Sequence, residues 1–69
     1  MIIKDSKGLG RVIRDQRKTT GLTQLDAAGL CGVGERFLSE LERGKPTVEL
    51  GKVLQVLNRL GLHVVLQKT

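Results

Sequence analysis

A chain of 69 residues holds one domain, and a fold of this size buries only about 60% of its unfolded surface, so a further staple is expected. Its single cysteine, Cys31, excludes an internal disulfide, and Cys31 with His63 is too sparse a ligand set for zinc. Twelve Lys+Arg against seven Asp+Glu give a net charge of +5 and a pI near 10.0, which points to anionic partners such as nucleic acid unless the charge serves solubility alone.

The first periodic segment is "KGLGRVIRDQRKTTG". Leu9, Val12 and Ile13, followed by small Thr20, recur at three- and four-residue steps and predict an amphipathic helix. Asp5 or Ser6 caps its start, and Gly21 suits a left-handed end. Arg11, Arg14 and Lys18 lie on a face away from Leu9 and Val12; phosphate contact and plain solvation are both open, with solvation expected for at least one. Arg17 lies on the edge of the apolar stripe instead, so a partly buried partner is expected, and Glu42 is the candidate.

"TQLD" reads as a capping box, Thr23 reaching the Asp26 amide and the Asp26 carboxylate returning to Thr23. The second helix starts there, runs to about Cys31 and is turned by Gly32. Gln24, at its start, can grip a phosphate or simply begin a helix. Cys31 is read as a small core residue.

Gly34 opens a third helix that runs through Glu42 or Arg43 until Gly44 and Lys45-Pro46 stop it. At ~100° per residue, Phe37, Leu38 and Leu41 point inward while Glu35, Arg36, Ser39 and Arg43 point outward. Those outward types suit DNA edges, since arginine donates bidentately to guanine and glutamate accepts from the cytosine amino group. Two short helices joined by a glycine turn, with the second presenting polar residues, fit a helix-turn-helix over residues 23–43.

Thr47 is expected to cap a fourth helix with Glu49 in its first turn and Leu50, Val53, Leu54, Leu57 and Leu60 as its apolar stripe, ended by Gly61. "LHVVLQKT" then alternates, with β-branched Val64 and Val65, and predicts a strand over about 62–67. Its partner is either residues 1–4 or the same strand of a second subunit. His63, on the face opposite Leu62, is read as a surface or interface residue. Enzyme chemistry has no nucleophile with a base nearby and no cofactor or metal cluster to stand on. The chain has no apolar run near ~18 residues and no signal-peptide centre in "MIIKDSKG", so no membrane partner and a cytoplasmic location are expected.

"LGRVIRDQRKTTGLTQ", "CGV", "FLSELERGKPT" and "LGKVLQVLNRLGL" together resemble the lambda-repressor/Cro-type, or XRE, helix-turn-helix family, and more narrowly its HipB-type antitoxin repressors, over roughly residues 8–67. The resemblance implies an all-α domain of four or five helices over residues 1–69, with a terminal strand that joins two subunits through Leu62, Val64, Val65 and Leu66. It places Gly34, Glu35, Arg36 and Ser39 at base-reading positions. Gln24 matches a phosphate contact at the start of the second helix, Arg43 and Lys45 lie in the turn that approaches the backbone, and Arg17 with Glu42 matches the ion pair between the first and third helices. Thr23 and Arg14 are counted with the phosphate contacts from their own positions. A homodimer on an inverted-repeat operator, acting as autorepressor beside a HipA-type kinase toxin, is the implied biology. Three departures, Ala27 for leucine, Gly29 within the second helix and Gly34 for a serine cap, predict a loosely packed second helix. The rival reading is a protein-binding module that holds a toxin or other partner with weak DNA affinity.

Overall fold

The computed structural model describes residues 2–69 as four helices in the order α1 (Ser6–Thr19), α2 (Gln24–Cys31), α3 (Glu35–Glu42) and α4 (Leu50–Arg59). Asp5 caps α1, its carboxylate accepting from the Gly8 N–H at 2.7 Å. The Thr23 hydroxyl accepts from the Asp26 N–H at 3.1 Å. Only this forward half of the capping box is made among the described residues. α4 departs from expectation at its start. Its N-cap is Glu49, not Thr47, and Thr47 lies in a bend after Pro46. Val48 packs on the core, which keeps the chain extended through Glu49.

All four helices close by the same device. An amide beyond each helix returns to a carbonyl five residues earlier: Leu22 to Arg17 at 3.3 Å, Val33 to Ala28 at 3.0 Å, Lys45 to Glu40 at 3.1 Å and Leu62 to Leu57 at 2.8 Å. A glycine with positive φ precedes each of these residues. At Gly44 the requirement is double, because its φ is +87° and a Cβ would stand 2.7 Å from the Lys7 Cα.

The core is Ile13 of α1, Ala27, Ala28 and Cys31 of α2, Leu38 and Leu41 of α3, and Val53, Val56, Leu57 and Leu60 at the α4 end. α3 packs against both α1 and α2, and α2 also packs against α4. The loose packing expected of α2 is not found: Ala27 and Ala28 are 0% and 2% exposed, their small side chains admitting close neighbours. Gly29 is exposed and a Cβ there would meet nothing within 4 Å, so its cost is helix propensity alone.

Two further expectations are corrected. The inward row of α4 is Val53, Val56, Leu57 and Leu60, whereas Leu50 and Leu54 are 68% and 45% exposed. Both rows have helical spacing, and the packing of α4 against α2 selects the one containing Val56. The strand over 62–67 is also absent from the described residues: beyond Gly61 the chain is irregular, with no ladder to Ile2–Lys4. A strand exists only by pairing, and among the described residues no second segment pairs with this one. The pairing expected at residue 1 falls outside the described residues. No described helix is long and apolar enough to cross a membrane.

Candidate nucleic-acid interface

α1 meets α3 backbone to backbone. Gly10 is buried, and a Cβ there would stand 2.4 Å from the Leu41 carbonyl oxygen and 2.6 Å from that of Glu42. The close approach lets Arg17 reach across to Glu42. Arg17 Nε donates to Glu42 Oε2 at 2.7 Å and its Nη2 to Oε1 at 3.0 Å, while Nη1 donates to the Leu22 carbonyl at 2.8 Å. The residues are 8% and 7% exposed, so this is a buried bidentate pair. The hydrogen bonds it donates to Glu42, aided by the carboxylate's charge, hold the Arg17 guanidinium still more firmly protonated against the opposing pull of burial.

Glu42 also serves α2. Gln24 Nε2 donates to Glu42 Oε1 at 3.1 Å, which fixes the side chain at the helix start and leaves its second amide N–H to another acceptor. Thr23, the N-cap, has its hydroxyl oxygen engaged by the Asp26 amide.

Along α3, Glu35 and Arg36 are exposed, the Arg36 side chain at 91%, while Ser39 is half-buried and so more withdrawn than the helical wheel suggests. Gly34 begins the helix without a side-chain cap. Glu40, which the sequence reading passed over, stands between two cations: Arg36 Nε lies 3.9 Å from its Oε2 and Lys45 Nζ 3.4 Å from its Oε1. The four-residue spacing from Arg36 to Glu40 was the available signal. Exposed pairs of this kind are weak, so both cations are free to turn toward a stronger anion.

These elements enclose a concavity of about 610 Å³, floored by Arg17, Glu42 and Gln24 and flanked by Arg14 of α1 and Arg43 at the end of α3. Glu42 is its only acidic lining residue, and Arg17 neutralises it. Gln24, Arg14 and Arg43 therefore line one cationic concavity, whereas Thr23 and Lys45 lie outside its lining. Leu62, Val64, Val65 and Leu66 line a second, apolar groove with Leu50 and Leu54 of α4. Cys31 belongs to neither site. It is 0% exposed, burial pushes its thiol up against a smaller downward pull from Arg59, and its Sγ lies 3.9 Å from the Val56 carbonyl. A thiol so placed is a packing group.

The arrangement has relatives. Residues 8–68 match the family model described as a helix-turn-helix domain. The chain is 48% identical over 62 residues to y4mF of Sinorhizobium fredii (strain NBRC 101917 / NGR234), described as an HTH-type transcriptional regulator, covering 90% of this chain and 82% of that one. It is 33% identical over 63 residues to the ImmF control region 10 kDa protein of Bacillus phage phi105, covering 88% and 70%. Among solved structures, a chain of the HipA-HipB-O2-O3 complex superposes with a TM-score of 0.89 at 23% identity, over 100% of this chain and 97% of that one. The resemblance read from the sequence and the fold in the structure therefore agree.

Proposed function

We propose a specific role for a chain that belongs to the helix-turn-helix domain family and is a DNA-binding regulator: a homodimeric, sequence-specific repressor of its own operon. One observation carries this reading. α3 bears exposed Glu35 and Arg36 at its start and contributes Glu42 and Arg43 to the cationic concavity at its end, so a single helix joins base-reading chemistry to a phosphate site. In this reading Glu35, Arg36 and Ser39 face the major groove, with Gly34 allowing close approach of the backbone. Gln24, Thr23, Arg14, Arg43 and Lys45 hold phosphates. Two copies place their α3 helices in successive major grooves of an inverted repeat, about 34–36 Å apart.

The dimer is completed by residues 62–67, paired as strands across the two-fold so that Leu62, Val64, Val65 and Leu66 are covered. The present exposure of Val64, Val65 and Leu66 and the alternation of the segment support this, as does the likeness to a chain that assembles in a HipA-HipB-O2-O3 complex. The same likeness supports the finer role of a HipB-like antitoxin that binds a HipA-type kinase toxin. The apolar groove also fits the rival reading, a protein-holding module, and salt separates the two.

The test is a mobility-shift titration on DNA from the protein's own promoter region, at low and moderate salt and against unrelated competitor. A competitor-resistant, salt-sensitive complex of dimer stoichiometry is expected. Arg36→Ala is expected to cost about 1–3 kcal/mol of discrimination at one base position with the melting temperature unchanged. Shifts that every competitor abolishes equally would overturn the repressor reading.

A further inference from the structure

α1 carries a row of cations that the two helices of the reading motif do not require. Lys7, Arg11, Arg14 and Lys18 follow one another at four-, three- and four-residue steps, which sets them within about 60° of each other on the helix surface. All four are exposed, and all four line the concavity described above. None makes an ion pair within 4.0 Å among the described residues, and neither does Asp15, the one acidic residue of α1. Like charges at these spacings repel along a helix, so the bare row destabilises α1 and an anion laid against it would relieve that repulsion.

The row is also held in place from behind. Gly10 seats α1 on the Leu41 and Glu42 carbonyls, and Gly44 admits the Lys7 backbone to the turn after α3. A side chain at either glycine would force the helices apart and separate the row from Arg43. Solvation of at least one of Arg11, Arg14 and Lys18 is the sequence-based expectation; their convergence with Lys7 on one concavity argues for a ligand instead. Lys7 to Lys18 spans about 16 Å along the helix, longer than a single phosphate group and suited to a run of backbone charge.

We propose that α1 is a second phosphate-contacting element, in which Lys7, Arg11 and Lys18 extend along the DNA backbone the contacts made by Gln24, Arg14 and Arg43. This rests on the DNA-binding reading above and adds to it a sequence-independent footprint outside the helix-turn-helix.

The test compares two variants of equal charge: K7Q/R11Q/K18Q, and K52Q/R59Q/K68Q, none of whose residues lines the concavity. Affinity for the promoter fragment and for an unrelated duplex is measured across a salt series, with thermal unfolding as a control for folding. The first variant is expected to flatten the logarithmic salt slope by about 0.9 for each phosphate that is no longer neutralised. It should weaken both duplexes by the same factor and unfold at no lower a temperature than the wild type at low salt. The second variant should keep the slope. Equal slopes in the two variants, with promoter discrimination intact, would overturn the α1 footprint and leave the repressor reading standing. A wild-type chain with no salt-dependent duplex binding would remove both. Inorganic phosphate is titrated in parallel: protection from unfolding that disappears only in the first variant supports the anion row, and equal protection of both variants counts against it.

Discussion

The two concave faces of this domain are built on opposite terms. The face between α1 and α3 is floored by a neutralised ion pair and walled by cations, and the polar groups of its floor are hydrogen-bonded to one another. The face formed by α4 and residues 62–66 is apolar, and Leu50, Leu54, Val64, Val65 and Leu66 stand open on it. The first has the polar groups of its floor satisfied within one chain. The second leaves its apolar residues uncovered in the single chain, so substitutions on the two faces are expected to act on different properties.

That contrast can be broken most severely at Glu42. Glu42→Ala would leave Arg17 charged in a buried site and deprive Gln24 of its acceptor, a loss of about 3–5 kcal/mol in chemical denaturation. Because the Arg17 pKa is raised on folding, the guanidinium's contribution is complete below its unfolded-state pKa and disappears only as pH rises through the still higher folded value. The deficit should therefore stay constant across neutral pH. A deficit below about 1 kcal/mol, the range of exposed pairs, would show that the pair is solvated.

Gly10→Ala comes next. A Cβ 2.4 Å from a backbone carbonyl must push α1 from α3, at about 1–3 kcal/mol, and should weaken binding to any duplex as the cations part. Gly29→Ala acts in the opposite direction. With open space around it and helical backbone, it should stabilise by up to about 1 kcal/mol in the same assay. Val64→Pro should leave the stability of the single chain within about 0.5 kcal/mol, because residue 64 is exposed and unpaired, yet reduce the sedimenting mass to that of a monomer. A persistent dimer would reject the strand interface and with it the division between the two faces.

The two faces were also unequally legible in the sequence. The spans of α1, α2 and α3 could be read because each has at least two agreeing signals: a cap and a glycine stop for α1 and α2, apolar periodicity and a glycine stop for α1 and α3. The Arg17–Glu42 contact followed from the edges of those two apolar stripes. α4 was harder, since Leu50 and Leu54 form one helical row and Val53 and Val56 another. Spacing cannot say which row a neighbour will cover. Gly10 gave no sign of its role, because a glycine inside a helix does not announce the carbonyls that press on it. Glu40 is different: its four-residue spacing from Arg36 was legible, and only its second partner, Lys45, lies beyond the helix. The alternation of residues 62–67 is real, but a strand is a property of two segments, and one sequence describes only one of them.

The last helix stop has a consequence for reach. The bond from the Leu62 amide to the Leu57 carbonyl moors the chain to the core, and no backbone hydrogen bond within the domain is made beyond it among the described residues. Fully extended, residues 63–69 would span about 23–25 Å, comparable to the molecule's 24 Å intermediate dimension. In the proposed dimer, two such segments would pair with one another without unfolding either core. Assembly of that proposed dimer would respond to concentration, while the cation-lined face is already formed in the single subunit.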